Sequence, residues 1–405
     1  MNPLLLSGFG ISIDVDKSHL IIRQKENLIE FEPHRIPYDS IIIDGHYGSI
    51  SFEAMRWLSK HDVSIALLNW NGNLLSTTHP QETLNAELKI KQYENYMNTE
   101  SRLYIADQIV NQKIKSSLSL LKQLSKFYSI DLKTISKETQ RFENGRSKPM
   151  KKERKQSESA LKNEIMMYEG RIASAYWNEL SKIFNQLAPD FRFEARKNLS
   201  YSWNMNASDP VNALLNYGYA ILESMVRKGI NTMGLDVSIG FLHEIAPSKH
   251  PLVYDLQELF RYVVDYSVIE LLETGLKKSD FITTENYHIR LKPNTARLLI
   301  DKIANNFNKR YEFRNKQYTL ENIMLENIRE LSRYISGKVK ELEFRIPEIE
   351  IARNDDIGLR NRIMSINPQK RKRLKINKST LWYQQKKIKE GKPIKMYRET
   401  KVSMK

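Results

Sequence analysis

Apolar and polar positions change their pattern once along the chain, near Pro80. Before that point, short apolar runs alternate with polar residues and are rich in β-branched side chains, as in ISIDV, HLIIRQ and SIIID. This alternation predicts strands, with turns at Gly8, Asn27 and Asn71-Gly72. The first eighty residues therefore predict a small β domain.

One helix interrupts the predicted strands between Ser51 and Lys60. Ser51 is a favoured N-cap residue, because its hydroxyl can accept a hydrogen bond from a backbone N–H of the first turn. Phe52, Met55 and Leu58 recur at three-residue spacing. We expect these three side chains to form the packed face of the helix.

Helical periodicity dominates the chain after residue 80. Amphipathic stretches run from Glu82 to Tyr128 and from Ser159 to Leu180, and Asp209-Pro210 begins a further helix with a cap and a favoured first residue. The basic interval from Arg141 to Ser159 predicts a connector, either solvated or in contact with DNA. Strands followed by helices predict the α+β class.

A packed helix is predicted between Leu252 and Val264, where apolar residues recur at spacings of three and four. Asp255 and Glu258 lie three residues apart on this helix, which places both carboxylates on one face. Because that face borders the packed side, each carboxylate needs a partner. His243 ends the apolar segment that precedes the helix.

These polar residues have a structural and a functional interpretation. Asp255 and Glu258 can form a solvated helix face with Arg261 as a surface ion-pair partner, and His243 can be a hydrogen-bonded structural histidine. Alternatively, an imidazole and carboxylates from separate helices form an oxygen-rich site, which suits Mg²⁺ or Mn²⁺ better than structural zinc.

Glu169 adds a further carboxylate to this set from the helix predicted between Ser159 and Leu180. Gly170 lies beside it, and a residue without a Cβ lets another backbone or a ligand approach closely. Arg171 follows directly and is a candidate for a phosphate contact.

Charge singles out the end of the chain. The protein carries 64 Lys and Arg against 48 Asp and Glu, a net charge of +16, which favours nucleic acid or an anionic membrane surface as a partner. Between Asn367 and Lys405 there are 14 basic and 2 acidic residues, so most of the surplus lies there.

No apolar run reaches the roughly 20 residues that a membrane span needs, and no basic region precedes the first apolar run. We therefore expect a cytoplasmic protein.

The basic C-terminal region has the pattern of two short helices. Asn367-Pro368 can cap and begin the first, INK forms a turn, and Ser379 can cap a second helix that ends at Gly391. Two helices joined by a tight turn predict a helix-turn-helix, in which the second helix enters the major groove of DNA. The alternative is a flexible basic tail that binds through charge alone.

The candidates for DNA contacts lie at the start and along one side of the second helix. Leu381 is expected to pack inside the motif, whereas Trp382 can belong to the core or contact the DNA backbone. The full set of candidate contacts is Lys378, Ser379, Thr380, Trp382, Tyr383, Gln384, Lys386 and Lys387.

Four separated segments, in order, resemble one known family. They are YEGRIASAYW from Tyr168, DPVNALLNYGYAILE from Asp209, GFLHE from Gly240 and PLVYDLQELFRYVVD from Pro251. Together they are similar to the CRISPR-associated endonuclease and integrase family that inserts new spacers, and to its transposon-encoded relatives, the casposases. The resemblance covers roughly residues 3–343.

The resemblance implies roles for the acidic and imidazole groups. Glu169, His243 and Glu258 correspond to metal ligands for Mg²⁺ or Mn²⁺, and Asp255 to an accessory acidic position close to the metal or to substrate DNA. The chain departs from the family before the helix at Asp209, where it reads NLSYSWNMNASDP and relatives commonly carry arginines.

The resemblance also implies the domain roles. It predicts a dimerising β domain at residues 1–80, a mostly α-helical catalytic domain at 81–345 and, beyond the family match, a helix-turn-helix domain at 346–405. The expected assembly is a homodimer, with a tetramer on paired DNA ends as an alternative.

The implied reaction is metal-dependent phosphoryl transfer at DNA. A 3′-hydroxyl attacks a target phosphodiester and joins strands without ATP, and the same site cuts DNA when water is the nucleophile. Two settings share this chemistry: a casposase that recognises the terminal inverted repeats of its own element, and a CRISPR adaptation enzyme that inserts spacers into a repeat array. The C-terminal motif favours the casposase. A non-catalytic DNA-binding regulator is the remaining alternative.

Overall fold

The computed structural model divides the chain into two compact units. The first comprises residues 1–121 and 131–348, and the second comprises residues 122–130 and 349–405. The β-sheet and most helices therefore belong to one unit, and the three-domain division stays a prediction. The structure describes the whole chain except residues 26, 70, 79–84, 134–135, 137–138, 141–157, 197–206, 248, 285–287, 352–362, 365, 367, 374–375 and 390–405.

The N-terminal region is a six-stranded mixed sheet, as the alternating pattern predicts. Its spatial order is β3-β2-β1-β4-β5-β6, in which β1 and β5 run parallel to β4 and the other pairs are antiparallel. Apolar side chains from the central strands and from α1 form its core. The strands and the helix are β1 (Pro3–Asp16), β2 (His19–Gln24), β3 (Asn27–Phe31), β4 (Ser40–Ile50), α1 (Phe52–Lys60), β5 (Ser64–Leu68) and β6 (Leu74–Thr78).

Gly8 lies inside a strand, so the predicted turn there is wrong. β1 continues through it, and the register with β4 shifts on both sides of Phe9. Gly8 has a φ of 101°. Such a conformation is accessible to glycine at little cost, and it produces an irregularity in the ladder instead of a reversal. The turn at Asn71-Gly72 is confirmed, because it joins β5 to β6, whereas Asn27 is the first residue of β3 and not part of a turn.

Helix α1 begins as predicted but packs through a different face. Ser51 caps it by accepting a hydrogen bond from a backbone N–H of the first turn at 3.1 Å. However, Phe52 is 79% exposed and Met55 is 37% exposed, so two of the three residues expected in its packed face lie outside the core. The residues of α1 that are buried are Ala54, Trp57 and Leu58.

Helices dominate the rest of the first unit, and α5 lies at their centre. It packs against α6, α7, α8 and α9. Asp209 caps α5 as predicted, accepting a hydrogen bond from Asn212 N at 2.9 Å. The helices are α2 (Ala86–Met97), α3 (Thr99–Leu124), α4 (Glu158–Leu187), α5 (Pro210–Met233), α6 (Pro251–Gln257), α7 (Arg261–Leu272), α8 (Pro293–Asn308) and α9 (Leu320–Ile335).

Two short antiparallel hairpins connect the later helices. The pairs are β7 (Phe281–Thr283) with β8 (Ile289–Leu291) and β9 (Arg310–Phe313) with β10 (Lys316–Thr319). The basic connector predicted between Arg141 and Ser159 lies almost wholly outside the described residues.

The single helix predicted between Leu252 and Val264 is two helices. α6 ends at Gln257, with Glu258 as its C-cap, and α7 begins at Arg261. The N–H groups of Leu259 and Phe260 bond to carbonyls three residues earlier, which tightens the last turn. The apolar pattern runs through both helices because both are buried, and it therefore hides the break.

The second unit contains the two helices predicted near the C-terminus. α10 spans Pro368–Arg373 and α11 spans Lys378–Lys389. The predicted cap is wrong by two residues: Asn377 Oδ1 accepts hydrogen bonds from both Ser379 N and Ser379 Oγ, at 3.3 and 3.1 Å. Asn367 and Gly391, which were expected to flank the pair, lie outside the described residues.

Among the residues that the structure describes, no helix combines the length and apolar character needed to cross a membrane.

We expect Gly218→Ala to destabilise the fold, because Gly218 lets α5 approach α7 closely. A Cβ at this position would lie 2.5 Å from Val264 Cγ1, which belongs to a stiff, buried, β-branched side chain. Overpacking of this kind costs about 1–3 kcal/mol in the free energy of unfolding. Urea denaturation measures it. Gly170→Ala is the matched control, since a Cβ there meets no described atom within 4 Å; equal stability of both variants would contradict the close approach.

Candidate active site

One pocket of about 800 Å³ brings together the acidic and imidazole groups that the sequence singled out. Glu169 reaches it from α4, His243 from the loop between α5 and α6, and Glu258 from the junction of α6 and α7. Three distant parts of the chain therefore meet at this pocket.

Lys113 joins the two glutamates. Its Nζ lies 2.5 Å from Glu169 Oε1 and 2.6 Å from Glu258 Oε2. The two carboxylates are therefore within two hydrogen-bond lengths of one another. Lys113 belongs to α3, and sequence reasoning missed it because a lysine on a long amphipathic helix is ordinarily a solvated residue.

Glu258 is held by two cations, one on each carboxylate oxygen. Arg261 Nη1 donates to Oε1 at 2.5 Å, and the Lys113 ammonium lies 2.6 Å from the buried Oε2. Burial raises the pKa of this carboxyl, but the Arg261 guanidinium and the Lys113 ammonium outweigh burial and lower the pKa to about 2. Arg261 and Glu258 do pair, but within the protein instead of on a solvated helix face.

Asp255 fixes the position of His243. One carboxylate oxygen accepts from the backbone N–H groups of Phe241 and Leu242, at 2.5 and 3.0 Å. The other accepts from His243 N at 2.9 Å and lies 2.7 Å from His243 Nδ1. A carboxylate at Nδ1 sets the orientation of the imidazole and leaves Nε2 for a ligand.

This geometry specifies how Asp255 relates to the pocket. The side chain is fully buried and is absent from the pocket wall, so it contacts the pocket through His243, and its accessory role stays a prediction. The interpretation of Asp255 as part of a solvated face is wrong. Gly240 makes the arrangement possible, because a Cβ there would come within 2.7 Å of the Pro251 backbone and 2.9 Å of Asp255 Oδ2.

The same carboxylate changes the protonation of His243. Burial lowers the pKa of the imidazole, but the hydrogen bond to Asp255 and the charges of Asp255 and Glu258 together raise it above its ordinary value. His243 therefore binds a proton more readily than an isolated histidine, and a metal ion must compete with that proton.

A buried polar network supports the floor of the pocket. Asp265, on α7, accepts hydrogen bonds from the hydroxyl groups of Tyr176 on α4, at 2.6 Å, and Tyr219 on α5. The Tyr219 ring also lies under the Arg261 guanidinium, 4.2 Å from its centre. The helices that carry Glu169 and Glu258 are therefore tied together below the site.

Arg196 adds positive charge to the pocket wall. Its guanidinium donates to the amide oxygens of Asn212 and Asn216, both at 2.7 Å, and its Nε is buried without a hydrogen-bond partner. The departure of NLSYSWNMNASDP from the family pattern concealed this residue, which lies just before that stretch. Sequence reasoning therefore missed Arg196 as well as Lys113.

Arg171 and Gly170 do not line the pocket. Arg171 is exposed on α4, and its phosphate contact stays a prediction. The expectation that another backbone approaches Gly170 is wrong for the part of the chain that the structure describes, since no atom there lies within 4 Å of an added Cβ.

The residues of the pocket fit a divalent cation by their chemistry. The two nearby carboxylates are the hard oxygen donors that Mg²⁺ and Mn²⁺ prefer, and the imidazole of His243, with its Nε2 available, can add a nitrogen ligand. The described residues contain no ready-made cluster of three or more His, Asp or Glu groups at metal-binding distances. The Lys113 ammonium lies between the two carboxylates instead.

Comparison with known proteins identifies the family. The model for "CRISPR associated protein Cas1" matches residues 4–305. The chain belongs to the Cas1 family. Among its curated relatives, the CRISPR-associated endonuclease Cas1 1 of Archaeoglobus fulgidus is 24% identical over 351 residues, covering 83% of this chain and 96% of its own length. The corresponding protein of Methanospirillum hungatei is 31% identical over 290 residues, covering 70% and 81%.

Solved structures extend the similarity to the fold. A casposase bound to integration product is 37% identical with a TM-score of 0.76, and the alignment covers 90% of this chain and 99% of that one. A Cas1 protein from Thermotoga maritima, at 20% identity and a TM-score of 0.67, shares the fold over 86% of this chain and 100% of its own. The predicted α+β fold and family resemblance are confirmed.

The C-terminal helices that follow this Cas1 region present part of the predicted DNA-binding set. Lys378, Ser379 and Lys386 are exposed, and Thr380 is half-buried. Trp382 is 60% exposed, which excludes it from the core, and the Lys386 ammonium lies 5.2 Å from the centre of its ring.

One member of the predicted set is buried. Gln384 is only 3% exposed and cannot reach a base edge in this conformation, so its assignment is corrected. The side chain of Lys387 lies outside the described residues. Tyr383 is 54% exposed, and Leu381 is buried as expected.

We expect Asp255→Asn to destabilise this Cas1 protein by about 3 kcal/mol or more, because a neutral amide cannot accept the hydrogen bonds of three backbone N–H groups and an imidazole together. The pKa of His243 should also fall, because burial lowers it and the variant no longer has the Asp255 carboxylate charge that raises it. Chemical denaturation and NMR titration of the imidazole measure the two effects. An unchanged His243 pKa in a folded variant would contradict the positioning role.

Proposed function

We propose that the protein is a divalent-metal-dependent DNA integrase with associated endonuclease activity. The observation that carries the proposal is the meeting of Glu169 and Glu258 around one cation in a pocket shared with His243. Membership in the Cas1 family, whose curated relatives are named endonucleases, supports the same reaction class.

Glu169, Glu258 and His243 would hold Mg²⁺ or Mn²⁺, with their carboxylate oxygens and the imidazole Nε2 as donors. When bound, the cation supplies stabilisation of negative charge on the phosphate and lowers the pKa of the attacking hydroxyl. Glu258 remains a carboxylate at neutral pH, because Arg261 and Lys113 lower its pKa to about 2. Asp255 keeps the imidazole turned toward the pocket.

The reaction that fits is transfer of a phosphoryl group between two oxygens. The 3′-hydroxyl of an incoming DNA end forms a bond to a target phosphorus, and the bond from that phosphorus to the target's 3′-oxygen breaks. The number of phosphodiester bonds is unchanged, so no ATP is required. Arg196 and Lys113 supply positive charge at the pocket wall, which binds the phosphate and stabilises its charge.

We favour a casposase over a CRISPR adaptation enzyme. The structural relative that is a casposase bound to integration product aligns with 90% of this chain at 37% identity. The C-terminal helices add exposed basic and aromatic residues suited to recognising the terminal inverted repeats of an element. Insertion of spacers into a repeat array is the alternative, since several curated relatives carry CRISPR-associated names.

The proposed partners are DNA element ends and a target duplex. A homodimer through the N-terminal sheet, with a tetramer on paired ends, remains our proposal for the assembly. A non-catalytic DNA-binding regulator is the competing class of function, and it differs from an integrase in requiring no metal.

We expect Glu169→Ala and His243→Ala each to reduce strand transfer by at least about a hundredfold, because each would lose one metal ligand. A DNA-joining assay with Mg²⁺ or Mn²⁺ measures this. Glu164→Ala is the matched control, since Glu164 is an exposed acid on the same helix α4 and should retain activity. Parental activity in both active-site variants would favour the regulator or an altogether different site.

Deleting the residues after Glu350 should abolish the preference for terminal-repeat ends while DNA cleavage persists. Because each neutralised phosphate contributes about 0.9 to the slope of log affinity against log salt, truncation should also flatten that slope. Competition binding with repeat and scrambled ends, at several salt concentrations, measures both quantities. End preference equal to that of the full chain would assign recognition elsewhere.

A further inference from the structure

The cation between Glu169 and Glu258 belongs to the protein itself. Lys113 Nζ contacts one oxygen of each carboxylate, at 2.5 and 2.6 Å, from a side chain that is only 21% exposed. Glu258 has a second cationic partner, Arg261, which binds its other oxygen. The Lys113 ammonium therefore lies between Glu169 Oε1 and Glu258 Oε2, which face each other across the gap between the two carboxylates.

We infer that the Lys113 ammonium and the divalent cation compete for the same place between Glu169 and Glu258. This inference rests on the proposed function, in which these glutamates are metal ligands. Lys113 is then an internal competitor that sets the metal affinity of the site, in addition to being one wall of the pocket.

Charge and distance both require the competition. Two carboxylates this close repel each other unless a cation lies between them, and the lysine ammonium meets that need without metal. A bound Mg²⁺ approaches its oxygen ligands to roughly 2.0–2.1 Å. It would then occupy the space of the ammonium, and two positive centres cannot share that gap.

The pocket leaves room for the Lys113 side chain to move away from the carboxylates when a metal ion displaces it. Lys113 lines the pocket of about 800 Å³, and a lysine places a single charged group at the end of a flexible four-carbon stem. Glu258 does not lose all its partners on displacement, because Arg261 remains on Oε1. Each carboxylate therefore has a cationic partner in both states, Lys113 before the metal ion binds and the metal ion afterwards.

Metal binding to the full-length protein tests the competition without an activity assay. Calorimetric titration with Mn²⁺ gives the dissociation constant for the parent, Lys113→Met and Lys113→Arg. Lys113→Met removes the charge and keeps a long apolar stem, so its dissociation constant should fall about tenfold or more if the metal-accessible state of the parent is populated at about 10% or less. Lys113→Arg keeps the charge and should stay near the parent.

Two further variants distinguish a failure of the competition from a failure of the metal site. Lys115→Met is the matched control: Lys115 is an exposed lysine on the same helix and should not change Mn²⁺ affinity. Glu169→Ala should lose the site. In the absence of metal, Lys113→Met should also unfold at a lower temperature and gain more from saturating Mn²⁺ than the parent does.

The results distinguish the inference from the proposed function. If the parent binds Mn²⁺, Glu169→Ala loses it and Lys113→Met binds no more tightly than the parent, the competition is wrong and the ligand assignment stands. If the parent binds no Mn²⁺ that depends on Glu169, the proposed metal site itself is wrong, and the competition fails with it. Tighter binding by Lys113→Met, with no change in Lys115→Met, supports both.

Discussion

Repulsion between two carboxylates organises the candidate active site. Glu169 and Glu258 come from α4 and from the α6–α7 junction, and folding brings them within two hydrogen-bond lengths. A pair of like charges at that distance in a partly buried pocket is unfavourable unless cations balance it. Lys113 from α3 and Arg261 from α7 provide the balance, so four helical segments are committed to one electrostatic arrangement.

Two aspartates support the pocket residues, Asp255 from behind His243 and Asp265 from the pocket lining itself. Asp255 binds three consecutive backbone N–H groups and the His243 ring, so a loop without regular secondary structure holds the imidazole in one orientation. Asp265 joins tyrosine hydroxyls from α4 and α5. Both aspartates are buried, and their roles are to fix the helices and the loop that present the pocket residues.

Much of this arrangement could be predicted from the sequence, because periodicity reports burial. The strands, the long helices and the caps at Ser51 and Asp209 follow from local chemistry. The break after Gln257 could not be predicted, since both flanking helices are buried and the apolar pattern continues across them. The role of Lys113 could not be predicted from the sequence either. Its partners are distant in the chain, and only tertiary contacts distinguish it from the many solvated lysines.

The central claim is that Glu169, His243 and Glu258 converge on a single divalent cation. The most direct test is a crystal of the full-length protein grown with Mn²⁺ and measured at a wavelength where manganese scatters anomalously. We predict one strong anomalous peak in the pocket, at roughly 2.0–2.3 Å from an oxygen of each glutamate and from His243 Nε2, with Lys113 moved away from both carboxylates. A pocket without that peak, while Lys113 still bridges the glutamates at saturating Mn²⁺, would contradict the claim.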